Sequence, residues 1–161
     1  MSTGKLTLYT PTLDDLWFRQ RMLADPETMS YNRAWGGTIP FPQERWEPWH
    51  DRWIVHPQGK RFYRYLRDEE TGAFVGEIAC HWDDEADKWL ADVIVHAPFR
   101  GMGYGREGLR LLCQAARENG VEDLYDDIAA DNPAIRLFLG EGFEIVGHTE
   151  MTILLKKRLT R

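Results

Sequence analysis

Two cysteines are all that this 161-residue chain contains, and Cys80 and Cys113 stand too far apart for a zinc pattern or a disulfide framework. Each falls in an apolar setting that predicts a buried free thiol, which suits a reducing compartment. No apolar run approaches the roughly 18 residues that a membrane span requires, and the amino-terminal stretch is polar. We therefore expect a cytoplasmic protein with no membrane partner. Positive charge is also short: 20 Lys and Arg against 26 Asp and Glu give a net charge of −6. That balance speaks against a general nucleic-acid-binding surface and permits a cationic partner. Repeats, linkers and low-complexity tracts are missing, and the length suits one domain over residues 1–161 with enough chain to bury a core.

What is present is concentrated in the run from Val93 to Gly105. A β-branched stretch, Val93-Ile94-Val95, breaks into the basic, glycine-rich turn Arg100-Gly101-Met102-Gly103-Tyr104-Gly105. The spacing of Leu109, Leu112, Cys113 and Ala116 then predicts a helix from Arg106 to about Asn119 with one apolar face. A helix N-terminus offers unpartnered N–H groups and the positive end of its dipole, and glycines let a phosphate approach without a Cβ in the way. The segment thus has the features of an anion cradle, with Arg100 as a fixed cation. Gly103-Tyr104-Gly105-Arg106-Glu107-Gly108 also fits a dinucleotide-binding G-x-G-x-x-G, with Asp126 and Asp127 about 20 residues on. That fingerprint normally follows its strand almost directly, whereas His96 to Gly101 intervene here.

The rest of the chain reads as strands and helices in a recognisable order. Lys5 to Tyr9 alternates as an opening strand, and a helix begins near Asp14 and ends by Asp25-Pro26. Residues 32–42, with two glycines and two prolines, read as a long loop, and Gln43 to about Val55 resumes a helical pattern through Trp46, Trp49 and Trp53. Strands are expected at Arg61–Arg67, Ala73–Trp82 and Trp89–His96, with acidic turns at Asp68–Gly72 and Asp83–Asp87. Val121–Ala129 supplies another strand. Asn132 can cap a helix with Pro133 at its first position, and Phe143–Val146 and Met151–Leu155 close the sheet.

Arg100-x-x-Gly103-x-Gly105 resembles the pyrophosphate loop of the GNAT superfamily of acetyl-CoA-dependent N-acetyltransferases. Val95-x-Ala97-x-Phe99-Arg100-Gly101 resembles the lead-in to that loop, with Ala97 where proline is usual. Asn132-Pro133-Ala134-Ile135-Arg136-Leu137-Phe138, followed by Gly142-Phe143, resembles the family's later helix and its entry to the next strand. The resemblance covers about Leu90 to Gly147. It implies an α+β fold with α/β-type layers: a central mixed, mostly antiparallel sheet of six to seven strands with helices on both faces. It further implies acetyl-CoA as the acetyl-donor co-substrate, with no metal, and it allows a homodimer. Pyrophosphate would lie on the backbone of Gly101, Met102, Gly103, Tyr104, Gly105 and Arg106, beside Arg100. Pantetheine would run along Val93, Ile94 and Val95, where a backbone N–H would steady the thioester carbonyl, and would reach the Asn132 side chain and Phe138. Plain structural readings stand beside these: core strand for Val93–Val95, and an ordinary helix cap for Asn132.

The base is approached from the residues. Leu90, Asp92 and Ile94 share a strand face, so Asp92 is an acid among apolar neighbours, where desolvation favours taking a proton from an ammonium. Glu77, between Gly76 and Ile78 on the preceding strand, is the second candidate; His81 as a relay and a water chain are further ones. The family often carries a tyrosine where this chain has Phe138, and that phenol can protonate the leaving thiolate. Phe138 cannot, so Tyr104 or Tyr125 substitutes, or the thiolate leaves unassisted. The loop from Tyr31 to Phe41, the tryptophan-rich helix and Asp83-Asp84-Glu85 could form an aromatic, acidic mouth for an amine, although tryptophans at helical spacing are more often core and an acidic turn is usually only solvated. The expected acceptor is a small-molecule primary amine or a peptide N-terminus, with a small cation favoured. A second reading is a CoA-binding sensor or regulatory module of the same fold without turnover.

Overall fold

A computed structural model describes residues 5–159. Seven strands form one sheet in the order β1-β2-β3-β4-β5-β7-β6. In chain order they are Leu6–Tyr9, Arg61–Asp68, Phe74–Asp83, Lys88–Val95, Asp123–Ala129, Glu144–His148 and Thr152–Arg158. Neighbours are antiparallel throughout, except that β4 and β5 run parallel. The expected mixed, mostly antiparallel architecture is therefore found. It also removes the dinucleotide-binding alternative, because that fingerprint belongs to an open parallel sheet.

Helix α1 (Leu16–Ala24) and α2 (Trp46–His50) are each entered through a short 3-10 turn. A π-type turn at Asp51–Val55 carries α2 onward. Helix α3 (Tyr104–Glu118) buries Leu109, Leu112, Cys113 and Ala116, the predicted stripe, against one face of the sheet. It begins two residues earlier than its apolar spacing suggested, because Gly103 in the left-handed region (φ +85°) caps it. Gly108 lies inside it: a Cβ there would stand 2.7 Å from Leu66 Cδ1, so this glycine serves helix–sheet packing rather than a nucleotide. Cys80 and Cys113 are buried free thiols in the same core, and burial pushes Cys80 up to about 12.

On the opposite face, Phe18 and Met22 of α1 pack on Tyr63, Tyr65 and Ala79. Beside them Leu16, Leu23, Met29 and Phe41 form a second cluster. Helix α4 (Ala134–Gly140) follows Pro133, and Asn132 Oδ1 accepts the Ala134 N–H at 2.9 Å. Among the described residues no helix is long and apolar enough to cross a membrane.

Candidate acyl-transfer cleft

The parallel β4–β5 ladder holds only two residue pairs, Trp89↔Leu124 and Leu90↔Tyr125. Beyond them the strands part, so Ala91–Val95 and Asp126–Ala129 face each other across an opening. That opening runs into a cleft of about 680 Å³. Its backbone polarity follows from strand alternation: His96 N–H donates to Val75 O on β3, so the N–H groups of Val93 and Val95, offset by odd numbers of residues, point away from β3 into the opening. Their side chains lie in the α3-side core, as the plain structural reading held, while the backbone edge is left for a ligand.

At one end the cleft meets the glycine turn. Gly101 and Gly103 have φ of +78° and +85°, and a Cβ on Gly101 would meet nothing within 4 Å. Such a concave, side-chain-free surface at the start of a 15-residue helix fits a pyrophosphate, since the first N–H groups of a helix have no acceptor four residues back. Val93, Ile94, Val95, Arg100, Gly101, Gly103, Tyr104 and Gly105 all line the cleft, as do Asn132 and Phe138 from its other wall. Met102 packs toward the core instead, and the Arg106 side chain reaches out to Glu141 at 3.7 Å.

Beside the opening, strand register gathers the polar groups. The pairs Glu77↔Ile94, Ala79↔Asp92 and His81↔Leu90 put Glu77, His81 and Asp92 on one face. Asp92 is open to the cleft on one side, with protein on the others. That enclosure raises its pKa to about 7; the Glu77 charge adds to the rise, while Arg19 and the Val93 amide oppose it. Asp126, at the facing edge, is raised well above the carboxylate range by burial and then by Asp92. His81 is shifted down by burial.

Glu77 lies in a different setting, 1% exposed. It accepts two contacts from Arg19 Nη1, at 2.8 and 3.1 Å, and the Tyr63 hydroxyl at 2.5 Å. Burial opposes the charge on Arg19, yet Glu77 and Tyr63 hold it cationic. The guanidinium also lies 4.5 Å from the Trp49 ring centre. Arg19 escaped the sequence reading, although a signal was there: it falls on the α1 stripe Leu16, Arg19, Leu23, where an apolar residue is expected.

Several expectations are corrected by this geometry. Asp83, Asp84 and Glu85 lie outside the cleft, in a turn where Asp83 caps the amides of Glu85 and Ala86. Tyr104 donates its hydroxyl to buried Asp68 at 2.6 Å, and Tyr125, between Lys88 and Lys156, does not line the cleft. Neither phenol is placed to serve a leaving group. Phe138 is buried against Phe143, ring centres 4.9 Å apart. Of the three tryptophans, Trp49 and Trp53 line the cleft, whereas Trp46 donates its N–H to Phe41 O. Tyr31, Asn32 and Trp35 line the cleft as well. Among the described residues no group of three or more His, Cys, Asp or Glu is arranged to hold a metal.

Comparison with known proteins agrees with this geometry. A family model described as acetyltransferase (GNAT) domain matches residues 5–141. The uncharacterized N-acetyltransferase YycN of Bacillus subtilis (strain 168) is 30% identical over 88 residues, 53% of this chain and 54% of YycN. The match thus spans about half the length of that curated relative. A spermidine N-acetyltransferase from Vibrio cholerae, in complex with CoA and spermine, superposes with a TM-score of 0.77 at 18% identity, covering 96% of this chain and 95% of that one. For a GNAT-family acetyltransferase from Bacillus anthracis the values are 0.76, 13%, 98% and 98%. YncA from Salmonella typhimurium, solved with its cofactor acetyl-CoA, gives 0.71, 19%, 98% and 96%. At these identities the structures attest to a shared fold.

Proposed function

The chain belongs to the GNAT acetyltransferase family, and from that premise we propose that it transfers an acetyl group from acetyl-CoA to the primary amine of a small cationic acceptor, by direct attack in a ternary complex. The observation that carries this reading is that one cleft joins the glycine turn, the parted β4–β5 edge, Asp92 and an aromatic lining. Acetyl-CoA would supply a thioester whose acyl carbon is open to attack. Gly101 to Arg106 would hold its pyrophosphate, and the free β4 edge its pantetheine arm. The Val93 and Val95 N–H groups, turned away from β3, would serve as donors to a developing oxyanion.

Asp92 is the group suited to take the proton from the incoming ammonium. A base with a pKa of about 7 is half ionised at neutral pH and still accepts a proton with useful driving force. Glu77, tied to Arg19 and Tyr63, then acts through Asp92 as a positioning residue. With no hydroxyl at Phe138 the thiolate leaves to solvent, which its pKa near 8.5 permits.

The acceptor class rests on the aromatic and acidic lining of the cleft. Tyr31, Trp35, Trp49 and Trp53 give the cleft an aromatic lining, where Arg19 and Arg100 already stack on Trp49 and Tyr31 as an acceptor cation would stack on a ring, and Asp92 and Asp127 offer carboxyl groups. The charge is smaller than a count of acids suggests, because Arg19 pairs with Glu77 and burial shifts Asp126 toward its neutral form. The spermine bound to the Vibrio cholerae neighbour is consistent with this class. Thiol release measured over a panel of polyamines, amino acids, aminoglycosides and peptides tests the reading. The buried Phe138 favours one rival, a CoA-binding module without turnover, and CoA binding with no thiol release for any amine would establish it.

A further inference from the structure

Arg100 does not point its guanidinium freely into the cradle. Nη1 donates to Glu27 O at 3.0 Å and Nη2 to Thr28 O at 2.6 Å, and the group stacks over the Tyr31 ring at 5.4 Å. The same two segments are joined twice more. Thr28 Oγ1 accepts the Ala97 N–H at 3.0 Å while donating to Asp25 at 2.6 Å, and His96 Nε2 lies 3.9 Å from Asp25. Residues 96–100 lead directly into the glycine turn, whereas residues 25–29 lead directly into Tyr31, Asn32 and Trp35. Two halves of the cleft, far apart in sequence, are thereby bolted together at Arg100.

We propose that Arg100 is a positioning residue for the acceptor: it clamps the loop carrying Tyr31, Asn32 and Trp35 to the turn that cradles pyrophosphate, and so sets the distance from the acceptor wall to Asp92. The inference rests on the acetyltransferase reading. A planar guanidinium suits the task because its fixed fork spans two adjacent carbonyls, which a lysine ammonium on its flexible stem cannot do with the same geometry. Loss of the clamp removes the guanidinium from two carbonyls, of which that of Glu27 keeps the Ser30 N–H, and frees the loop, while the backbone amides of the cradle stay in place.

Three measurements on the full chain test this. Amide hydrogen exchange over residues 29–36 reports the loop, titration with CoA reports the cradle, and the acceptor KM reports the acceptor wall. Arg100→Ala should raise the exchange rates and the acceptor KM about tenfold or more each, leaving CoA affinity within about threefold. Arg100→Lys should fall between. Thr28→Val removes a bolt without touching the turn's charge and should shift the loop and the acceptor KM in the same direction. A CoA affinity lost about tenfold with loop exchange unchanged would overturn the proposal and give Arg100 to the pyrophosphate. A loosened loop with unaltered acceptor KM would overturn it as well. Wild-type protein that binds CoA and acetylates nothing sinks the acetyltransferase reading instead, and the exchange data still decide whether Arg100 holds the loop.

Discussion

Arg19 and Glu77, one from α1 and one from β3, form a buried ion pair at 2.8 Å on the floor of the cleft. Its partners differ in exposure, 16% for the Arg19 side chain and 1% for Glu77, so removing the arginine strands the more deeply buried charge. Arg19→Ala should lower unfolding stability by about 3–5 kcal/mol. Chemical denaturation of both proteins checks it, and a loss under about 1 kcal/mol would show that water reaches Glu77 in the variant.

The pH profile is set by Asp92. Acting as base it must be ionised, so kcat/KM for the acceptor should rise with pH and level off above about 7. Because Glu77 raises Asp92, Glu77→Gln should move that rise to lower pH. Asp92→Asn should flatten the profile and lower kcat by roughly 10²–10⁴-fold with CoA affinity retained.

The same shift makes a stability prediction of definite sign. A carboxyl at about 7 in the fold, against 3.8 ordinarily, binds its proton more tightly folded than unfolded. Its contribution is complete below about pH 4 and is lost as pH rises through 7. Asp92→Asn should accordingly raise the melting temperature relative to wild type at pH 8, and by less at pH 4. An equal effect at both pH values would mean that Asp92 keeps an ordinary pKa.

The cradle is tested by a matched pair of glycines. Gly103 and Gly120 have nearly the same backbone angle, φ +85° and +86°, and a Cβ on Gly120 would meet open space. Gly120 follows the far end of α3. Gly103→Val and Gly120→Val should carry similar backbone strain, but only the former should weaken CoA binding, by at least about tenfold or 1.4 kcal/mol. Equal affinities in two folded variants would remove the turn from the site.

Charge attraction of the acceptor should be modest and traceable to Asp127, the exposed acid at the β5 edge. For a polyamine, kcat/KM should fall as salt passes about 0.1 M, where screening shortens to roughly 10 Å. Asp127→Asn should reduce that slope and spare a neutral-tailed amine. An uncharged or acidic amine that outperforms every polycation, with no salt effect, would return substrate choice to the aromatic wall.

The order of strands and helices, the α3 stripe, the glycine cradle and the shared face of Leu90, Asp92 and Ile94 were legible in the sequence, because each is written in local periodicity or in one residue's steric freedom. The functions of Arg100, Glu77, Asp126 and Gly108 were not. Gly108 matches a nucleotide fingerprint in one dimension and a helix–sheet contact in three. Glu77 reads as a candidate base until α1 delivers Arg19 against it from 58 residues away. Arg100 reads as the fixed cation of the anion cradle until Glu27 and Thr28, 73 and 72 residues upstream, place their carbonyls in its reach. Asp126 reads as the acid of a dinucleotide fingerprint until the β4–β5 divergence sets it near Asp92. Local patterns are dictated by neighbours along the chain, whereas the protonation and bonding of a side chain are decided by whatever groups the sheet register and helix packing bring within a few ångströms.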